Sequence, residues 1–356
     1  MATPAVFEEL LETVLKENAS DLHLTVGRRP SIRVSGGLIE LAPYTTLDPQ
    51  TVQGMIFQML SPEQEARFLK EKELDFSYAY REKARFRVNV FFQRGFMGAA
   101  LRLIPTKIRD FKELNLPPIL AEFCERPQGF LLVVGPTGHG KTTTLAAMVD
   151  YINHRRPEHI ITIEDPLEYL FTSDRTIIDQ REVSIDTESF SRALRSMFRE
   201  DVDVAMIGEM RDLETIATAV TAAETGHLIL SSLHTNNAAQ TVDRIIDSFP
   251  AHQQGQIRAQ LAATLIAIVS QRLIPRVAGG LIPAVEVMIA NHAVRNLIRE
   301  GKVHEIDLVI ETSSAEGMFS LNRSLAELVK RRDISLEQAE FYSLNPDELR
   351  MLLGAK

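Results

Sequence analysis

The chain reads as two stretches with different rhythms of apolar and polar positions. In the first, Leu10, Leu11, Val14 and Leu15 fall on one side of a helix predicted over Phe7 to Leu15. Leu22 to Val26 and Ser31 to Val34 alternate as strands, and Thr51 to Leu60 reads as a second helix ended by Ser61 and Pro62. Ala84 to Phe92 alternates strictly. Phe86, Val88, Val90 and Phe92 take one face, and Arg85, Arg87 and Asn89 the other. Gly95 and a second apolar run to Ile104 complete a predicted hairpin. Arg87 and Arg102 lie one on each of its strands; a slip of one residue in register would put them on opposite faces.

Pro105, Pro117 and Pro118 punctuate a linker placed between residues 105 and 118. Beyond it, short apolar runs (Phe130 to Val134, His159 to Glu164, Val204 to Ile207, Leu228 to Leu233) alternate with helical patterns over Thr142 to Asn153, Ser189 to Glu200 and Leu213 to Thr225. That alternation predicts an α/β domain with a mostly parallel sheet covered on both faces. From about residue 236 the pattern is mainly helical, with one more strand expected over Leu281 to Ile289. In Ala293 to Glu300, Val294, Leu297 and Ile298 should pack inward. Arg295 and Arg299 share a different face, expected to be exposed and not needed for folding.

The turn after the first of these strands carries the chemistry. Gly135-Pro136-Thr137-Gly138-His139-Gly140-Lys141-Thr142, with Thr143 following, matches the glycine-rich phosphate loop G-x-x-x-x-G-K-[ST]. The glycines let successive N–H groups face phosphate oxygens. Lys141 adds a point charge for the β and γ phosphates, and the Thr142 hydroxyl is a magnesium ligand. The helix that follows directs its positive end at the same place. This predicts ATP and Mg²⁺ as cofactors. His139 is expected to point outward, since its loop position contributes backbone.

Hydrolysis needs acids as well. Glu209 follows the strand Val204 to Ile207, and the cluster Glu164, Asp165 and Glu168 follows Ile160 to Ile163. In a parallel sheet both groups end at the edge that binds ligands, which selects Glu209 and Glu168 as the catalytic acids, Glu209 also holding the metal. His234, at the carboxyl end of Leu228 to Leu233, is placed to sense the γ phosphate, whereas His227 opens the same strand.

Composition narrows the partners. Across 356 residues, 45% are hydrophobic and 24% charged, values ordinary for a globular protein of two domains. A net charge of -9 disfavours a nucleic acid partner, although Lys83 to Arg109 holds seven basic residues and no acid. The single cysteine, Cys124, excludes a disulfide framework and a cysteine zinc site. The longest apolar stretch, Leu261 to Val269, is far short of the roughly 18 residues a spanning helix needs. A cytoplasmic chain without direct membrane insertion is expected.

Taken together, Ser20-Asp-Leu-His-Leu24, Ala84 to Asn89, the phosphate loop, Ile163-Glu-Asp-Pro-Leu-Glu168, Gly208-Glu-Met-Arg-Asp-Leu-Glu-Thr215, Glu224-Thr-Gly-His227 through Leu233-His-Thr235, and Ala293 to Glu300 resemble the secretion-superfamily ATPases, specifically the type IV pilus retraction ATPases of the PilT type. The resemblance implies an N-terminal PAS-like α+β domain over 1–104, a linker over 105–118, and a RecA-like ATPase domain over 119–356 whose C-terminal helices begin near 291. It implies a homohexamer that works on an inner-membrane pilus platform protein, with a paralogous pilus ATPase as a further partner. It assigns Glu209 as the Walker B acid and Glu168 as the Asp-box acid, with Arg87 and Arg102 reaching nucleotide across a domain or subunit boundary. The tail Asn345 to Leu352 resembles the accessory paralogue PilU. Extension and type II secretion ATPases share the core but usually carry a four-cysteine zinc motif, which Cys124 alone cannot make.

Overall fold

The computed structural model describes residues 4–34, 37–81, 83–105 and 107–354. They fall into two units: Met1–Lys107 with Pro166–Leu170, and Ile108–Asp165 with Phe171–Lys356.

In the first unit, helix α1 (Pro4–Lys16) precedes strands β1 (Asp21–Thr25), β2 (Ser31–Val34) and β3 (Gly37–Glu40). Helices α2 (Pro49–Phe57) and α3 (Pro62–Glu71) follow, then strands β4 (Glu73–Tyr80), β5 (Ala84–Gln93) and β6 (Phe96–Ile104). The strands form an antiparallel sheet in the order β3-β2-β1-β6-β5-β4. One face is apolar: Phe86, Val88, Val90, Leu101, Leu22 and Leu24 are buried with Leu10, Leu11 and Val14 of α1. Ser61 and Pro62, read in the sequence as a stop, are also a start. Ser61 caps α3 through a reciprocal capping box with Gln64, and Pro62 occupies the first turn, where its missing N–H costs nothing.

The second unit begins with the short helix α4 (Ile119–Cys124), which buries Cys124, and strand β7 (Gly129–Val134). Helix α5 (Lys141–Asn153), strands β8 (His159–Glu164) and β9 (Ile177–Glu182), helix α6 (Phe190–Met197), strand β10 (Val204–Ile207), helix α7 (Leu213–Glu224) and strand β11 (Leu228–Leu233) continue the alternation. Helices α8 (Ala238–Asp247) and α9 (Ala251–Thr264) lead to the antiparallel pair β12 (Leu265–Pro275) and β13 (Leu281–Ile289). After β13 the described residues form the α-helices α10 (His292–Glu300), α11 (Ile306–Thr312), α12 (Leu321–Lys330), α13 (Leu336–Tyr342) and α14 (Pro346–Leu353). The sheet order is β13-β12-β7-β11-β10-β8-β9, with all pairs parallel except β12 with β13. Every residue of β7, β10 and β11 is buried, as strands covered on both faces require.

β12 departs from the helical expectation for this region. Its β-branched run follows α9 with no glycine, proline or polar break, so a helix–strand junction leaves no turn signal. The strand wins because Ala267 to Ser270 pairs with the buried strand Leu131 to Val134 on one side and with β13 on the other.

Candidate functional site

Strands β7, β8, β10 and β11 end at one edge of the second sheet, and the residues just past those ends make the site. Sharp backbone bends shape the loop after β7. Gly135 has φ 148°, and a Cβ there would stand 2.3 Å from the Gln271 carbonyl oxygen. Gly140 has φ 79°, and its Cβ would meet the Gln271 amide nitrogen at 2.9 Å. Backbone excludes any side chain at Gly135, and the left-handed φ strains one at Gly140. The loop carries Pro136, Thr137, Gly138 and His139 between them, and α5 starts at Lys141, with Thr142 and Thr143 half-buried in its first turn. A helix leaves its first N–H groups without internal partners, so the loop and α5 together form a concave donor surface. Lys141 is only 7% exposed. Its Nζ donates to the carbonyl oxygens of Gly135 and Pro136, both at 3.0 Å. A buried ammonium held inside the curve by two carbonyls is fitted to exchange them for phosphate oxygens.

His139 does not point outward. Its Nδ1 accepts the Leu273 N–H at 2.9 Å, and its ring meets Tyr342 edge-on with centroids 6.4 Å apart. A main-chain N–H past the end of β7 needs an acceptor, and the imidazole supplies it. Burial, then Arg272 and Lys141, push the His139 pKa down from its ordinary value.

Glu209 is placed by its neighbours. Gly208 N–H binds the Ile163 carbonyl and Met210 N–H the Ser232 carbonyl, fixing the turn between them. The Ser232 hydroxyl donates to the Gly208 carbonyl at 2.6 Å. Asp212 then caps α7 through the Thr215 N–H and hydroxyl. His234 connects Glu209 to the loop. Its Nε2 lies 3.0 Å from Glu209 Oε2, and its Nδ1 lies 3.3 Å from both Lys141 Nζ and Thr137 Oγ1. A carboxylate and an ammonium assign the neutral tautomer: Nε2–H donates to Glu209, and Nδ1 accepts. Lys141, Thr137, His234 and Glu209 thus form one chain.

Arg211 joins this chain without having been anticipated. It pairs closely with Glu209 and stands 3.8 Å from Asp165. The signal was available: a cation two residues beyond a strand-end acid, at the edge where a second acid also ends. Of the acidic cluster, Glu164 ends β8 inside the second unit. It is 2% exposed, accepts the Thr162 hydroxyl at 2.8 Å and packs against Gly208. Glu168 is exposed and lies in the segment Pro166–Leu170 that belongs to the first unit. His227 sits at the other end of β11, where its Nδ1 lies 3.0 Å from the Ala222 carbonyl near the end of α7. It is no part of the strand-end group.

In the first unit, Arg87 and Arg102 are cross-strand partners and share the exposed face of the sheet. Asp21 follows in the same row and accepts from Arg102 Nε at 2.9 Å. Like charges directly opposite each other disfavour a strand pair, and Asp21 offsets this beside Arg102. The expectation for α10 fails at one residue. Val294 and Ile298 are buried, but Arg295 is not a free surface cation. Its guanidinium donates to the carbonyl oxygens of Ala290, Ala263 and Leu265 at 2.6, 2.9 and 3.2 Å. Those carbonyls lie where α9 passes into β12 and beyond the end of β13, and a guanidinium fork reaches all of them at once.

Beside the loop lies a cavity of about 370 Å³, lined by Gly140, Thr143, Gln271, Leu273, Leu281 and Arg109 among others. Its size and mixed lining suit a small organic group. Among the described residues no cluster of three or more His, Cys, Asp or Glu could hold a metal by itself. The Thr142 hydroxyl and the Glu209 carboxylate are hard oxygen donors of the kind that holds magnesium only together with phosphate oxygens.

The family described as type II/IV secretion system protein matches residues 2–318. The type IV pilus retraction ATPase PilT of Pseudomonas aeruginosa is 46% identical over 333 residues, 93% of this chain and 96% of its own. The type IV pilus ATPase PilU of the same organism is 39% identical over 348 residues, 98% of this chain and 91% of its own. A crystal structure of the pilus retraction motor PilT with bound ADP aligns at a TM-score of 0.91 and 45% identity, covering 97% of this chain and 98% of that one. Strand-end chemistry, sheet order and these likenesses agree: the chain belongs to the type II/IV secretion system protein family, alongside the pilus retraction ATPases of the PilT type.

Proposed function

We propose that this protein is an ATP-hydrolysing motor that powers type IV pilus retraction by disassembly at the pilus base. The observation that carries it is the hydrogen-bonded chain from Lys141 through His234 to Glu209 at the carboxyl edge of the sheet. The loop N–H groups and Lys141 bind the β and γ phosphates, and the cavity beside Gly140 takes the base. Lys141 gives up the Gly135 and Pro136 carbonyls as phosphate oxygens replace them. Glu209 orients the attacking water and accepts its proton, and His234 holds the carboxylate in line with the loop, so that loss of the γ phosphate is felt at both ends. Thr142 and Glu209 would hold magnesium together with phosphate oxygens, and the metal would supply charge neutralisation there. Glu168, Arg87 and Arg102 are the further catalytic residues on this reading.

On this reading the first unit is a PAS-like domain, residues 105–118 are the linker, and the remainder is a RecA-like ATPase domain. The working assembly is a homohexamer in the cytoplasm, held at the inner membrane through a platform protein of the pilus machine. Twitching and pilus length in a deletion strain, complemented with the wild-type gene or Glu209→Gln, test it. Long, unretracted pili restored to normal only by the wild type support retraction; unchanged pili in the deletion strain refute it. An accessory role beside a second retraction ATPase is favoured by one observation, the likeness to PilU that extends into the tail. It predicts that the deletion phenotype is partial while the second retraction ATPase is present.

A further inference from the structure

Gln271 lies on β12, one residue past the last pairing of that strand with β7 at Ser270 and Val134. It is 3% exposed. Its Oε1 accepts the Thr144 hydroxyl at 2.7 Å, and its Nε2 donates to the His139 carbonyl at 2.8 Å. The partners fix which end of the amide is which, because a main-chain carbonyl can only accept. Its own carbonyl fills the space that a Cβ on Gly135 would need. One buried residue therefore touches the loop at its start, bonds it just before Gly140, and bonds α5 one turn into the helix. These contacts stand on both sides of Lys141. Gln271 also lines the cavity beside Gly140.

We propose that Gln271 is a positioning residue for the phosphate loop. Its amide holds the His139 carbonyl and the Thr144 hydroxyl at a fixed spacing, so that the intervening N–H groups and Lys141 are aimed before phosphate arrives. This rests on the reading of the loop as an ATP site, and it requires no contact between Gln271 and phosphate. Few side chains could do it. The position demands a donor and an acceptor on one planar group of this length, with no net charge to bury. Methionine has the shape and neither function. Glutamate has the shape, but its donor exists only when protonated.

The test is steady-state ATP turnover by the full chain with magnesium, between pH 5.5 and 7.5, alongside thermal melting. Gln271→Met should lower kcat by about tenfold, because a loosened loop loses part of its aim at the developing charge. KM should change less than kcat, and the protein should stay folded, since the swap conserves volume. For Gln271→Glu, the ratio of its kcat to that of the wild type should rise as pH falls and the carboxyl regains its proton. A role in packing alone leaves that ratio flat. Wild-type kcat in Gln271→Met, or a flat ratio in Gln271→Glu, overturns the assignment; should Gln271→Met not fold, the ratio decides. If the wild-type chain turns over ATP and the Gln271 variants match it, only this inference falls. If the wild type does not turn over ATP, the ATP reading falls and takes it along.

Discussion

Lys141 and Glu209 belong to one chain of contacts but act on different parts of the reaction, so their variants should separate. Lys141→Ala removes the charge that binds phosphate and should weaken ATP binding as well as turnover. Glu209→Gln keeps the shape and should bind ATP yet lose on the order of 10²-fold or more in turnover. Equilibrium binding of a fluorescent ATP analogue, measured beside turnover, distinguishes the two, and near-native turnover in Glu209→Gln removes it from the catalytic list. His139 makes a prediction about pH. Its folded pKa is held below the ordinary imidazole value of about 6.5 by burial, then by Arg272 and Lys141. Below that pH the unfolded chain binds a proton that the folded chain refuses, so this residue's contribution to stability falls as pH drops toward the lowered folded value. The melting temperature of the wild type relative to His139→Gln should therefore decline from pH 7.5 to 5.5; a constant difference contradicts it. At this scale the sequence was legible wherever a motif fixes spacing and the residue sits at a strand end, as for Lys141, Glu209 and His234. It was not legible for His139 or Arg211, whose roles depend on what β12 and the neighbouring acid present to them.

Among elements, β12 governs the site although no motif marks it. It carries the Gln271 amide and the Leu273 N–H that hold the loop, and it pairs with β7 from which the loop springs. The alternating strand β5, the apolar run of β6 and the buried strands β7, β8, β10 and β11 announce themselves by pattern. The edge strands β3 and β9 do not. All of β3 is exposed, and β9 mixes Asp179, Gln180 and Arg181 with its isoleucines, so neither shows a clean period. α10 shows how a correct helix can mislead about a side chain. Periodicity puts Arg295 away from the core of its own helix. It cannot show that three carbonyls from α9, β12 and the turn after β13 wait on that side. Arg295→Glu should therefore destabilise the protein by about 3 kcal/mol, through lost charged hydrogen bonds and carbonyls facing a carboxylate. Arg299→Glu, at an exposed position bonded to Asn296 of the same helix, should stay within about 0.5 kcal/mol. Chemical denaturation of the two single variants checks this. Equal losses would mean that the carbonyl contacts of Arg295 contribute nothing.

For the whole molecule, the register of β5 against β6 has an outcome that sequence could not supply. Arg87 and Arg102 stand side by side on the exposed face, with Asp21 next in the row. If they serve a nucleotide from across a boundary, Arg87→Ala or Arg102→Ala should cut turnover by about 10³-fold or more and leave nucleotide binding by the remainder of the chain in place. Light scattering at the concentration of full activity should give a hexamer, and a fully active monomer would contradict that. Cys124 has a practical meaning for following such an assembly at work. It is the only cysteine in 356 residues, it is 0% exposed, and burial pushes its thiol far above the range where thiolate forms. Thiolate is the nucleophile that adds to maleimide dyes, so the natural protein should be almost silent to them while folded. A cysteine placed at Phe341, 80% exposed on α13, or at Leu38, 57% exposed on β3, would then take the dye alone. The chain is in effect supplied ready for site-specific fluorescence, with motion during a catalytic cycle readable without first removing any native residue.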